Sequence, residues 1–420
     1  MKILQIVHGF PPESVGGTQA YCEAVGRALA SRGHTCFILA GAQETRDAPE
    51  LVTTDQGSLK VTRFIGTLPD PVHWSPSRRA EAERLILQHL DEIRPDVIHV
   101  QHWVRLTSNV VAICKSRRIP TVVTLHDLWA ACPRGNRLRS DRVFCTDPVP
   151  VAPCVHCVVR KDGETDEEVA RELDIRQRLV GEELRLADRV LVPSEAQRTL
   201  LMHLLEREGV RLHVLAHGTI NCLTPSAPSD GAAAPLRVAY WGPLVWWKGP
   251  HLLLEALHRL PDPGRVEGHL FGRSADPDYE RHLRELAGGL AVVFHGHYSP
   301  ADLHREGLHL AVFPSLCHES HSFVLDEAFQ IGVPAIVSDR GAPALRLGTA
   351  GLTFKTGDAG DLSRQVRKVL EEPGLLEGLR RGTPAMPLVP MEVHVAQLEE
   401  VYHHAIEAAE VAHRTVEGRW

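Results

Sequence analysis

The sequence lacks an apolar run of the ~20 residues that a membrane-spanning helix needs. The apolar part of "MKILQIVHGFPP" is too short for a secretory leader and breaks at Pro11-Pro12, so the expectation there is a strand. There is no excess of basic charge. The net charge is −7, and electrostatics gives no support to a nucleic-acid partner. The glycine pair after the first strand lacks the G-x-G-x-x-G spacing, which counts against a nicotinamide enzyme. No short-period repeat is present. The nine cysteines include several in helix or strand contexts, which suits a reducing compartment better than a disulfide framework. The expectation is a cytoplasmic protein, at most peripheral at the inner membrane face.

What is present is two alternating series. At 420 residues the chain exceeds a single core of typical size, so two domains are expected. Short apolar runs alternate with amphipathic helices, the signature of a doubly wound parallel sheet. The first series reads "KILQIV", a helix from about Thr18 to Arg32, "TCFILAG", "DVIHV", "TVVTLHD" and "RVLVPS". Residues 221–236, "NCLTPSAPSDGAAAPL", have the texture of a linker. The second series then reads "LRVAYWG", "VEGHLFG", "AVVFHG", "LHLAVFPS" and "PAIVSD". The predicted fold is α/β, two Rossmann-like lobes facing across a cleft. The lobes span 1–220, with a Cys-rich insertion at 132–157, and 237–390. A helix at 391–420 is expected to pack back on the first lobe.

Strand ends are where open α/β sheets hold ligands, and the candidate residues fall there. Gly16 and Gly17 precede a helix, where backbone can approach an anion closely; a plain strand–helix connection reads as well. Lys248, before Gly249 in "WGPLVWWKG", can meet phosphate as a point charge, or be solvated surface. In "HESHSFVLDEAF", Glu319 and Glu327 are spaced E-x7-E. Glu327 sits between residues that look buried, and Asp326 beside it reads as the surface charge. An inward carboxylate needs donors, which ribose hydroxyls would supply. The amides from Ser320 through Ser322 to Phe323 open the helix and suit a diphosphate. His126 ends "TVVTLH", and His99 and His102 lack an acidic third ligand, so a metal there is not expected. Cys132, Cys145, Cys154 and Cys157 form C-x12-C-x8-C-x2-C, which reads equally as a structural Zn²⁺ site and as free thiols. Arg134, Arg137, Arg139 and Arg142 in the same insertion suggest an anionic acceptor.

Together these stretches resemble the retaining glycosyltransferases of family 4, which have the GT-B fold, over nearly the whole chain. "VFPSLCHESHSFVLDEAFQIGVPAIVSD" is the most specific part; "PPESVGGTQAY", "TLHD", "VPSEAQR" and "WKG" fall in the expected order. The resemblance implies transfer of a sugar from a nucleotide diphosphate sugar, UDP- or GDP-linked, with retained configuration and no cofactor required for catalysis. The first lobe would take the acceptor, a glycan, a lipid-linked sugar or a small molecule, as in cell-surface polysaccharide or glycoconjugate synthesis. The second would bind the donor. It further implies Gly16 and Gly17 beside the donor phosphates, His126 at the donor sugar, Lys248 on the diphosphate, Glu319 on sugar hydroxyls and Glu327 on the ribose. Pro243 stands where many members carry an arginine, which shifts phosphate charge onto Lys248, helix amides or Arg273. The competing readings are a nucleotide-sugar epimerase and a degenerate transferase serving as a binding subunit.

Overall fold

The computed structural model describes residues 1–67, 78–147, 149, 152–160, 162–225 and 235–417; most of the segment expected as a linker lies outside these. The chain forms two compact units, Met1–Ile220 with Val389–Trp420, and Asn221–Leu388.

In the first unit the strands are β1 (Lys2–Val7), β2 (Thr35–Thr45), β3 (Glu50–Gln56), β4 (Leu59–Gly66), β5 (Val97–Val100), β6 (Thr121–Thr124), β7 (Arg189–Val192) and β8 (His213–Val214). Their order is β3-β4-β2-β1-β5-β6-β7-β8. All pairs are parallel except β3 with β4. That antiparallel pair was not anticipated. Its signal is the two-residue turn Gly57-Ser58, where Gly57 has φ 69°. β5 and β6 are buried along their whole length, so they read as continuous apolar runs rather than alternating ones.

The helix Gly17–Ser31 buries Tyr21, Cys22, Val25 and Leu29, one face at helical spacing. The helix Met391–Glu417 belongs to the same unit and buries Val395, Leu398, Tyr402 and Ala405. It is pinned by polar contacts as well: Tyr402 OH with His99 Nδ1 at 2.7 Å, and Arg32 donating twice to Glu399 at 2.7 and 2.6 Å.

The second unit has β9 (Leu236–Trp241), β10 (Val266–Phe271), β11 (Val292–Gly296), β12 (Leu310–Phe313), β13 (Ala335–Ser338) and β14 (Gly351–Phe354), in the order β11-β10-β9-β12-β13-β14 and all parallel. Alternate residues serve opposite faces. Tyr240 and Leu270 pack with the helices Pro250–His258 and Ala359–Glu371, while Trp241 and Phe271 pack with the helix Phe323–Gln330. Parallel strands bring all their C-terminal ends to one edge, and the loops carrying Lys248 and Glu319 leave from it.

Candidate active site

Two loops meet at that edge. After β9 the chain makes a single turn, Trp246–Lys248, and enters the next helix through Gly249 at φ 75°. A Cβ on Gly249 would stand 2.1 Å from the Pro314 carbonyl oxygen, so only glycine fits. The close approach sets Lys248 against the loop that follows β12. Its Nζ donates to Glu319 Oε1 at 2.7 Å, and Ser315 Oγ donates to the same oxygen at 2.7 Å. Among the described residues Glu319 Oε2 has no hydrogen-bond partner. Burial pushes the Glu319 carboxyl up, but the Lys248 charge and hydrogen bond, with Ser315 and Cys317, outweigh it and hold the acid below its ordinary range. Burial likewise opposes the Lys248 ammonium, and Glu319 overcomes it. The lysine side chain stays 34% exposed, so the remaining ammonium donors can reach a ligand.

The loop from His318 to Ser322 is fixed from behind. The Glu319 backbone lies against Gly341 (φ 81°), where a Cβ would come within 2.6 Å of the Glu319 carbonyl oxygen. The Asp326 carboxylate accepts from His321 Nε2 at 2.8 Å and from Arg346 Nη2, and Arg346 Nη1 donates to the His321 carbonyl at 2.9 Å. Ser322 takes the left-handed conformation, φ 79°, and Phe323 opens the helix Phe323–Gln330. The expectation that Asp326 is a surface charge is wrong. It is 2% exposed, because its helix packs on both sides and Arg346 neutralises it inside.

Glu327 is buried as expected from its flanks, but it already has partners. Trp241 Nε1 donates to Oε2 at 2.9 Å and Asn221 Nδ2 to Oε1 at 2.7 Å. Asn221 falls at the start of the stretch read as linker, yet belongs to the second unit. Burial pushes the Glu327 acid up to about 7 against the pull of those two N–H donors. Both donors favour the ionised form, and a ligand hydroxyl would add to them. If Glu327 contacts the nucleoside, binding must expel its proton at lower pH. Nucleoside affinity should therefore weaken as pH falls through about 7, by up to about tenfold per unit, and become flat in Glu327→Gln. Calorimetric titration across pH 5.5 to about 8.5 checks this; the same profile in a folded variant would remove Glu327 from the site.

In the first unit, Gly16 and Gly17 lie where expected, opening the helix after β1, with no side-chain cap and no acidic residue in the first turn. His126, two residues past β6, is engaged within the protein through both ring nitrogens. Gln5 Nε2 donates to the Cys22 carbonyl (3.1 Å), and Gln101 Nε2 donates to Gln5 Oε1 (2.9 Å). Gln101 Oε1 therefore accepts from His126 Nε2 (2.7 Å), leaving His126 Nδ1 to accept from His217 Nε2 (3.2 Å). The carbonyl at one end dictates the tautomer at the other. His217 was not anticipated; nothing local in "VLAHGT" marks it. His99 is hydrogen-bonded to Tyr402 OH and to Thr124 Oγ1, each at 2.7 Å.

The insertion corrects a further expectation. Three of its four arginines, Arg134, Arg137 and Arg139, are engaged within the segment rather than presented together to an anion. Arg137, 1% exposed, donates to the carbonyls of Ala131, Cys145 and Asp147, Arg134 donates to the Cys157 carbonyl, and Arg139 pairs with Asp141. Arg134 and Arg137 satisfy backbone acceptors that a short irregular segment cannot pair itself. Cys132, Cys145, Cys154 and Cys157 are in no disulfide and line one small cavity, but among the described residues they do not form a preformed tetrahedral set. Among the described residues only His269, His295 and Glu306 bring three ligand atoms within 4.8 Å of one another. No helix among the described residues is long and apolar enough to cross a membrane.

Known proteins match this arrangement. Residues 15–220 match Glycosyltransferase Family 4 and residues 235–372 match Glycosyl transferases group 1. The chain belongs to the family 4 glycosyltransferases of the GT-B fold. It is 24% identical to glycogen synthase of Mycobacterium tuberculosis over 398 residues, 89% of this chain and 87% of that protein. The fold is similar to that of sucrose-phosphate synthase from Thermosynechococcus elongatus, with a TM-score of 0.67, 18% identity and coverage of 97% and 100%. It is also similar to Anabaena HepE in complex with UDP, with a TM-score of 0.64, 18% identity and coverage of 96% and 100%.

Proposed function

We propose that this glycosyltransferase moves a sugar from a nucleotide diphosphate sugar, UDP- or GDP-linked, to an acceptor hydroxyl with retention of configuration. The observation that carries the reading is the Lys248–Glu319 pair: a lysine side chain about one-third exposed and a carboxylate whose Oε2 has no hydrogen-bond partner among the described residues, on the same unit as the buried Glu327. Lys248 takes up charge developing on the leaving diphosphate, Glu319 Oε2 accepts from a sugar hydroxyl, and Glu327 from the nucleoside. The amides at Ser322 and Phe323 serve the diphosphate, as do Gly16 and Gly17, and His126 serves the donor sugar. The HepE structure was solved with UDP, which supports a uridine donor here. The acceptor is a glycan, a lipid-linked sugar or a small sugar. Relatives named for glycogen and sucrose-phosphate synthesis direct the first trials to soluble sugars, with cell-surface glycan precursors as the second set.

A thermal-shift panel of UDP, GDP, ADP and their sugars should raise the melting temperature for one nucleotide, since only the native state binds it. Incubation with that donor should release nucleoside diphosphate slowly without acceptor, and the release should vanish in Glu319→Ala. No stabilisation by any nucleotide would defeat the proposal. Conversion of the donor sugar to its epimer without acceptor would replace it with the epimerase reading.

A further inference from the structure

The insertion after His126 is a piece of chain with too little core to hold its shape. Among the described residues between Cys132 and Cys157 the regular structure is one isolated bridge, Leu138 with Phe144, and a single turn, Ala152–His156. Phe144 packs against the main core of the first unit, and the rest of the segment joins a cluster with four buried residues, Val149, Val155, Val169 and Leu173. So little apolar burial leaves much of the entropy of ordering the segment to be offset by something else, as a staple would do.

The chain nevertheless folds back twice, and each fold ends in cysteine. Arg139 N donates to the Val143 carbonyl and Cys145 N to the Arg137 carbonyl, both at 2.9 Å, which returns Cys145 toward Cys132. Cys157 N donates to the Cys154 carbonyl at 3.0 Å, closing the C-x2-C turn. All four cysteines line one cavity of about 20 Å³, the space of a single water-sized sphere. None is in a disulfide.

The charge around the cavity is unusual. Arg137 is 1% exposed and Arg176 is fully buried, and among the described residues neither meets a carboxylate within ion-pair distance. Arg176 stacks on Trp129 at 4.5 Å and donates to the Trp129 carbonyl at 2.6 Å, while its Nε and Nη1 are buried with no partner. Asp127 acts on Arg176 from beyond contact distance, and buried cations with no carboxylate in contact remain costly. Four thiolates around one divalent zinc carry a net charge of about −2, which two guanidinium groups neutralise.

We propose that Cys132, Cys145, Cys154 and Cys157 bind one structural Zn²⁺, with Arg137 and Arg176 as its buried counter-charges. Binding draws the sulfurs inward and releases the thiol protons to solvent, with no change of oxidation state. Cys132 lies six residues beyond His126, so the metal also anchors the loop that carries His126. This inference stands independently of the donor chemistry.

The test begins with elemental analysis of protein purified without a metal-affinity tag, which should find about one zinc per chain. Replacement by Co²⁺ should give the thiolate-to-cobalt charge-transfer absorption and the ligand-field bands of a tetrahedral site. Cys154→Ser with Cys157→Ser should abolish both. If that variant does not fold, the cobalt spectrum of the unaltered chain decides alone. Absence of zinc, with native thiols reacting equally fast with and without added zinc, overturns the proposal. So does a cobalt spectrum without sulfur ligation, or a zinc that survives the double substitution and is lost in His269→Ala.

Discussion

Lys248→Ala should lower the transfer rate by roughly 10²–10³-fold, the cost of removing one preorganised group from a site of developing charge. It should weaken nucleoside diphosphate binding far more than nucleoside binding. Pro243 occupies the position where many relatives carry a second cation, and the Pro243 carbonyl is taken by Tyr240 OH at 2.7 Å, so that position offers the phosphates nothing. Arg273 is exposed on the neighbouring loop and has no side-chain partner among the described residues. The loss has a second source that must be separated. Without Lys248 the Glu319 carboxylate, 15% exposed, keeps Ser315 but loses its counter-charge. Adding Glu319→Gln removes that uncompensated charge. The double variant should regain thermal stability relative to Lys248→Ala and remain inactive. A Lys248→Ala enzyme with an unchanged rate and unchanged diphosphate affinity would sink the phosphate assignment.

Periodicity reports which residues face inward; it says little about what they meet there. The runs "LRVAYWG", "VEGHLF" and "LAVF" were legible as strands because both faces of a parallel sheet are buried. The inward placement of Glu327 was legible from its apolar neighbours. Its partners were not, since Trp241 and Asn221 lie 86 and 106 residues away in sequence. Asp326 was misread for the same reason: a carboxylate next to an inward carboxylate looks like surface until Arg346, twenty residues on, closes over it. The arginines of the insertion misled in the opposite direction. Density of charge suggested an anion, whereas the segment's unpaired carbonyls were the acceptors.

Asp326 carries the other large effect. Asp326→Ala should destabilise the second unit by about 3–5 kcal/mol, the usual result of removing one partner from a buried ion pair. The loss reflects what is left behind: the Arg346 side chain, 16% exposed, would face an apolar hole, and His321, 4% exposed, would lose its acceptor. Asp326→Asn should do little better, because its amide N–H groups would oppose the N–H groups of Arg346 and His321. Burial pushes the Asp326 acid up, but His321 and Arg346 outweigh it and hold the acid below its ordinary value. A carboxyl depressed in the folded state adds stability that is fully present above its unfolded pKa of about 4 and fades as pH falls through the lower folded value. The gap between the natural chain and Asp326→Ala should therefore be widest near neutral pH and narrow in acid. Hydrogen exchange of the helix Phe323–Gln330 measures this locally, which avoids assuming that both units unfold together. At neutral pH its amides should exchange roughly a hundredfold faster or more in the variant, since each 1.4 kcal/mol is about tenfold. The same substitution frees the His321 carbonyl from Arg346, so the loop presenting Glu319 should loosen and donor affinity fall with it. Unaltered exchange across the helix would mean that Arg346 finds another partner and that the loop is held by Gly341 alone.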